Sequence, residues 1–256
     1  MNPVITIPAF GDNFVYLYQY QQSDALAVDP SDSSLVLSVL GQRGLSLTTI
    51  LVTHHHWDHT AGVVELKKKT GCRVIGGDEP RISGIDCVVE NGQILAMADA
   101  KIKVIATPGH TRTSVCYYVQ PSGDDENGVL WTGDTLFVGG CGRLLECDAR
   151  AMWDSLQRLA CLPGDTLVYC GHDYTLENYE FASGIEPGNQ AVKQRLQQVR
   201  QAQRTGRQTV PSTIFQERTT NPFLRARAAE LKASLNMTHA EPAEVFAELR
   251  RRKDVF

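Results

Sequence analysis

The segment Thr53-His54-His55-His56-Trp57-Asp58-His59 places four histidines and an aspartate within seven residues, directly after the apolar run Ile50-Leu51-Val52. Such a run reads as a buried strand that ends at its polar edge. Alternate side chains of an extended segment share a face, so His54 and His56 can reach one metal ion while His55 and Trp57 point elsewhere. If the chain then enters a helix over 59–70, Asp58 and His59 leave at a new angle and can reach a second ion. A purification tag or an adventitious surface site is also histidine-rich. This run, however, is internal, follows a strand and carries an aspartate.

The same placement recurs downstream. The apolar stretch 101–106 runs into Thr107-Pro108-Gly109-His110, Val129-Leu130-Trp131-Thr132 into Gly133-Asp134, and 166–170 into Gly171-His172-Asp173-Tyr174. Alone, His110 is an exposed turn residue and Asp134 a turn cap. Together they carry more weight, because several strand ends on one sheet edge converge in space. Imidazole and carboxylate donors suit zinc, iron and manganese alike. Two such ions about 3.5–4 Å apart can activate a water and polarise a carbonyl. Asp29 also ends a strand; it is read as a structural acceptor for the neighbouring loop, with no chemical role.

The positioning elements follow from periodicity and punctuation. Strands are expected at 4–7, 14–20, 25–28, 48–53, 73–75, 87–89, 94–95, 101–106, 114–120, 129–132 and 166–170. A helix capped by Ser31 or Asp32 runs to about Gln42 and closes at Gly44. Strand 48–53, helix 59–70 and strand 73–75 predict a parallel crossover. Residues 124–128 read as a solvated turn, and Gly139-Gly140-Cys141-Gly142-Arg143 as a flexible binding loop. Asp148 caps a helix through Leu159. Beyond residue 174 the pattern turns helical, at 175–184, 189–205, 222–235 and 243–253; Thr238 to Glu241 has capping-box spacing, and Pro242 suits a first turn.

An apolar fraction of 42% and a charged fraction of 21% are those of an ordinary globular protein. The net charge of −4 conceals an asymmetry: 13 Lys/Arg against 6 Asp/Glu from Lys193 onward give +7, leaving −11 for residues 1–192. These basic residues lie on helical patterns without interleaved aromatic platforms, so no nucleic-acid partner is expected. No apolar run is long enough to cross a bilayer, and Met1-Asn2-Pro3-Val4 lacks a signal-peptide pattern. The expectation is a cytoplasmic monomer with no membrane partner. Seven cysteines without a CxxC pair fit reduced thiols.

The pattern His54-x-His56-x-Asp58-His59, with His110, Asp134 and His172, resembles the metallo-β-lactamase superfamily signature. That resemblance implies an α/β, four-layer αββα sandwich. It also implies that His54, His56 and His110 hold a first metal, that Asp58, His59 and His172 hold a second, and that Asp134 bridges them. Asp58 and Asp134 are thereby the candidate catalytic carboxylates. Gly139 to Arg143, Gly171 to Thr175, Asn221-Pro222-Phe223-Leu224-Arg225 and Arg250-Arg251-Arg252-Lys253-Asp254 further resemble the glyoxalase II (hydroxyacylglutathione hydrolase) family. This second resemblance implies a catalytic domain over 1–173 and a small, helical substrate-binding domain over 174–256. It implies two divalent ions, zinc first with iron or manganese as alternatives. It also implies hydrolysis of S-D-lactoylglutathione to D-lactate and glutathione, the second step of methylglyoxal detoxification.

In the family pattern Arg143, Tyr174, Arg250 and Lys253 contact glutathione, whose two carboxylates give the basic C-terminal helix a purpose. Arg250 and Lys253 share a helix face and can meet one anionic group. The chain departs from the pattern at Leu145, where many members carry an aromatic residue, and at Asp173, where Glu is usual. The rival readings are a persulfide dioxygenase with one iron, a thioesterase of other specificity, and a metal-stabilised module without activity.

Overall fold

The computed structural model describes residues 4–78, 80–98, 100–121, 123 and 127–256, so most of the expected turn at 124–128 lies outside the described residues. The chain forms two compact units, residues 1–106 with 113–133, and residues 107–112 with 134–256.

The first unit contains β1 (Val4–Ala9), β2 (Asn13–Gln19), β3 (Asp24–Val28), α1 (Ser33–Arg43), β4 (Ser46–Val52), α2 (Trp57–Thr60) and α3 (Val63–Thr70). It continues with β5 (Arg73–Gly76), β6 (Cys87–Val88), β7 (Ile94–Met97), β8 (Ala100–Ala106), β9 (Val115–Val119) and β10 (Val129–Gly133). One sheet has the order β1-β2-β3-β4-β5-β6. Its first two pairings are antiparallel, and β3, β4, β5 and β6 pair in parallel, as the predicted crossover requires. A second, antiparallel arrangement runs β7-β8-β9-β10.

Ile50, Leu51 and Val52 of β4 are wholly buried, each contributing about 1.5–3 kcal/mol of apolar transfer. The strand is thus fixed in register before its polar end begins. Asp32 caps α1 by accepting from the Ser34 and Leu35 N–H groups, and Gly44 closes it in the left-handed region. The single helix expected over 59–70 is instead two, α2 and α3. The break falls at Gly62, whose N–H donates to the Pro30 carbonyl at 2.9 Å. A Cβ at Gly62 would lie 2.6 Å from that same oxygen, so the chain is pinned there and only glycine fits.

The second unit contains β11 (Leu136–Phe137), β12 (Gly140–Cys141), α4 (Ala149–Ala160), β13 (Leu167–Cys170), α5 (Thr175–Ile185) and α6 (Gln190–Arg204). After these come β14 (Ser212–Thr213), α7 (Ile214–Thr220), α8 (Ala229–Ser234) and α9 (Pro242–Lys253). Helix α4 buries Met152, Trp153, Leu156 and Leu159. Trp153 packs against Phe246 of α9 at 6.2 Å between ring centroids, and Phe246 against Phe223 at 5.7 Å.

Helix α7 was not anticipated. The helix expected over 222–235 begins only at Ala229, because the Asn221 side chain accepts from the Phe223 N–H at 3.0 Å and starts a turn instead. The capping box is made by Glu241 and Glu244, not by Thr238, and Pro242 occupies the first turn.

Candidate active site

In the first unit, β4 is followed by Thr53, whose carbonyl accepts from the Val115 N–H at 2.9 Å. Asp29, at the end of β3, gathers the motif. Its Oδ1 accepts from the Thr53 N–H at 2.7 Å, and its Oδ2 from the Thr53 hydroxyl at 2.6 Å. The same Oδ2 lies 3.0 Å from His59 Nδ1. Asp29 adopts φ of 50°, a conformation tolerated by Asp better than by most residues.

These partners determine the imidazole tautomers. A carboxylate only accepts, so His59 donates from Nδ1 and presents a lone pair on Nε2. The Thr53 hydroxyl hydrogen is spent on Asp29; its oxygen therefore accepts from His54 Nδ1, 3.1 Å away, which leaves the His54 lone pair on Nε2. That Nε2 faces His56 Nδ1 at 3.0 Å, a gap filled by a shared proton or a shared cation. Ligand nitrogens on one tetrahedral zinc ion stand about 3.3 Å apart. Asp58 Oδ2 lies 3.8 Å from His59 Nε2, and Asn13 Nδ2 donates to Asp58 at both its carbonyl (3.0 Å) and Oδ2 (3.3 Å). His55 turns away, its Nε2 taking the Arg81 guanidinium at 3.1 Å, and Trp57 is 68% exposed.

In the second unit, His110 Nδ1 donates to the Arg143 carbonyl at 2.9 Å, so its lone pair again sits on Nε2. That Nε2 is 3.4 Å from Asp134 Oδ2, while His172 Nε2 is 3.5 Å from Asp134 Oδ1. One carboxylate with each oxygen facing a different imidazole suits a bridging ligand. The donor set of both units therefore fits divalent cations. Tyr174 stacks on His172 at 5.0 Å and 4°.

A cleft of about 280 Å³ in this unit is lined by His110, Asp134, Arg143, Tyr174, Arg250 and Lys253. Arg143 is exposed there. Arg250 and Lys253 are buried on one side of α9, and neither charge stands alone. Arg250 donates to the Cys141 carbonyl at 2.8 Å and to Asp254 Oδ1 at 3.0 Å, and Lys253 pairs with Glu177.

The glycine loop, expected to be flexible, is tied down at nearly every residue. Glu217 Oε2 accepts from the Gly139 N–H at 2.8 Å; Asn178 donates to the Val138 carbonyl at 3.1 Å; Asn221 donates to the Gly140 carbonyl at 2.9 Å. At Gly142 a Cβ would overlap the Asp134 carbonyl oxygen and lie 3.3 Å from His110 Nδ1, so glycine is required where the loop passes the ligand pair. Burial raises the Glu217 carboxyl above its ordinary range, against the pull of its Ser212, Gly139 and Asn221 donors. Burial likewise pushes the Cys141 thiol to about 11 even with Arg250 beside it.

Sequence reasoning passed over Asn13, Asn178 and Glu217, and gave Asp29 no part in the chemistry. Asp29 carried a usable signal, since it follows a buried strand as Asp134 does. Glu217 carried none, because the loop N–H it holds, that of Gly139, lies 78 residues away in the chain.

Residues 10–172 match the metallo-beta-lactamase superfamily, and residues 173–256 match the hydroxyacylglutathione hydrolase C-terminus. A hydroxyacylglutathione hydrolase of Methylococcus capsulatus is 45% identical over 100% of this chain and 99% of its own length. The chain belongs to the hydroxyacylglutathione hydrolase family. Another member, from Rhodospirillum rubrum, is 45% identical over 98% of this chain and 97% of its own. Among solved structures, ETHE1 from Myxococcus xanthus matches with a TM-score of 0.64 at 26% identity, covering 98% of each chain. TTHA1623 in a di-iron-bound form shares the fold with a TM-score of 0.60 at 24% identity, over 86% of this chain and 99% of its own. Membership makes the chain a metal-dependent hydrolase with the metallo-β-lactamase fold. Among the described residues no helix is long and apolar enough to cross a membrane.

Proposed function

We propose that this hydrolase converts S-D-lactoylglutathione, and other S-2-hydroxyacylglutathiones, with water to the 2-hydroxy acid and glutathione. The observation that carries the reading is the cleft in which His110 and Asp134 stand beside Arg143, Tyr174, Arg250 and Lys253. Cations gathered next to two imidazole- and carboxylate-bearing turns suit an anionic substrate whose reacting carbonyl must approach a metal.

On this reading His54, His56 and His110 would hold one divalent ion, Asp58, His59 and His172 would hold a second, and Asp134 would serve both; zinc is the first candidate, and iron or manganese the alternatives. Bound there, the ions supply a nucleophilic water at neutral pH and polarise the thioester carbonyl. The remaining work belongs to the chain. Asp29, Thr53 and the Arg143 carbonyl hold three imidazoles in the Nδ1–H tautomer, so that Nε2 would be the ligating nitrogen of each. Asp58 and Asp134 offset the dications and offer oxygens that take the proton released by the water. Tyr174, Arg143, Arg250 and Lys253 orient the glutathione moiety. The departing group is a thiolate, whose conjugate acid has a pKa of about 8.5, so no separate general acid is needed.

Residues 1–173 act as the catalytic part and 174–256 as the substrate-binding part, a division supported by the two family matches, at 10–172 and 173–256. The protein is placed in the cytoplasm as a monomer acting on a small molecule, without nucleic-acid or membrane partners. The test is steady-state hydrolysis of S-D-lactoylglutathione by metal-loaded protein, followed by loss of the thioester absorbance. Turnover abolished by chelation and restored by metal supports the assignment; an inert metal-loaded protein refutes it.

A further inference from the structure

Among the described residues, Glu177 is the one carboxylate besides Asp134 that lines the same cleft as Arg143, Arg250 and Lys253. It sits in the first turn of α5, 60% exposed, and its Oε1 accepts from Lys253 Nζ, whose side chain is only 6% exposed. The Phe181 and Phe256 rings flank the same ammonium at 5.8 and 5.0 Å. A nearly buried ammonium walled by aromatic rings is costly without an anion, and Glu177 supplies it. An incoming carboxylate would meet Glu177 already engaged on that ammonium. Being exposed and bordering a neighbouring cleft as well, Glu177 can swing into water when displaced.

We propose that Glu177 is a specificity-determining residue that competes with the substrate's carboxylate for Lys253. This rests on the reading that Lys253 meets a glutathione carboxylate. The binding step is then an exchange of one carboxylate for another on a single buried ammonium. A substrate with a carboxylate in reach of Lys253 completes the exchange; a thioester without one leaves the resident pair intact. Glu177 thus weakens binding of its own substrate while stabilising the unliganded protein.

The two effects have opposite signs, and Glu177→Gln separates them. In the metal-loaded enzyme the variant should lower KM for S-D-lactoylglutathione by about two- to five-fold, the range open to a solvent-screened ion pair. Its kcat/KM ratio for that substrate over a carboxylate-free thioester should rise by the same factor. The unliganded variant should melt below the wild type. Calorimetric binding of S-hexylglutathione, which requires no turnover, should tighten in parallel. A KM or Kd that rises or stays level in E177Q overturns the proposal, because a residue that merely props Lys253 in place would weaken binding when neutralised. If the wild type neither binds S-hexylglutathione nor hydrolyses the glutathione thioester, the substrate reading itself fails; if the wild type does both and E177Q matches it, only the role of Glu177 fails.

Discussion

Asp29→Asn removes one charge from a carboxylate that touches no substrate, yet it should disable the metal centre. Asp29 accepts three hydrogen bonds, from the Thr53 N–H, the Thr53 hydroxyl and His59 Nδ1. The residue is 3% exposed, so water cannot replace what is lost. An amide keeps one acceptor oxygen and presents an NH2 where two donors already point. Losing one or two hydrogen bonds to a buried charge costs about 1.5–3 kcal/mol each. His59 is then no longer held with its proton on Nδ1, and the tautomer with the proton on Nε2 cannot ligate. Loss of such a supporting contact costs about 10–100-fold in metal affinity. Thr53 also orients His54, so both imidazoles are affected. Zinc affinity would be measured by competition with a chromophoric chelator, and melting of the metal-free protein by circular dichroism. The expected result is at least ten-fold weaker zinc binding together with a lower melting temperature. A D29N protein that binds zinc as tightly as the wild type would refute the tautomer argument, even if it melted earlier.

Gly142→Ala should displace the Asp134–His110 pair, since the new Cβ collides with backbone that has nowhere to move; zinc affinity falls by an order of magnitude or more, and unaltered affinity contradicts the crowding. Glu217→Gln should destabilise the protein by about 1–3 kcal/mol through its lost acceptor in the glycine-loop anchor. Because burial raises the Glu217 pKa above 4.5, its contribution is complete below that value and declines as pH rises through the raised one. The E217Q penalty, read from melting curves, should therefore shrink as pH rises above 4.5; a growing penalty refutes the sign. Cys141 and Cys170, with thiols pushed up to about 11 and about 12 by burial, should resist a thiol reagent at pH 8 in the native protein while exposed Cys161 reacts; rapid labelling of Cys141 contradicts its burial.

The turns that carry the candidate ligands were legible because each repeats one local device, a polar residue just past a run of buried apolar ones, and β4 shows it most plainly. Local signals also gave the caps of α1 and α4, where Asp32 and Asp148 accept from nearby N–H groups. What stayed hidden depends on distant partners. The break at Gly62 comes from a hydrogen bond to Pro30, and the turn after Asn221 from a side chain that also secures the Gly140 carbonyl 81 residues away. Glycine content suggested a flexible loop at 139–143, yet those glycines are needed because side chains and backbone crowd in. Spacing placed Arg250 and Lys253 on one helix face correctly, but it could not foresee that Asp254 and Glu177 already engage them.

The most direct test compares hydrolysis of S-D-lactoylglutathione with that of a thioester lacking the glutathione carboxylates, before and after chelation. The account predicts metal-dependent turnover that strongly favours the glutathione thioester, with the preference reduced in Lys253→Ala. Equal rates on both thioesters, or none on either with metal restored, would contradict it.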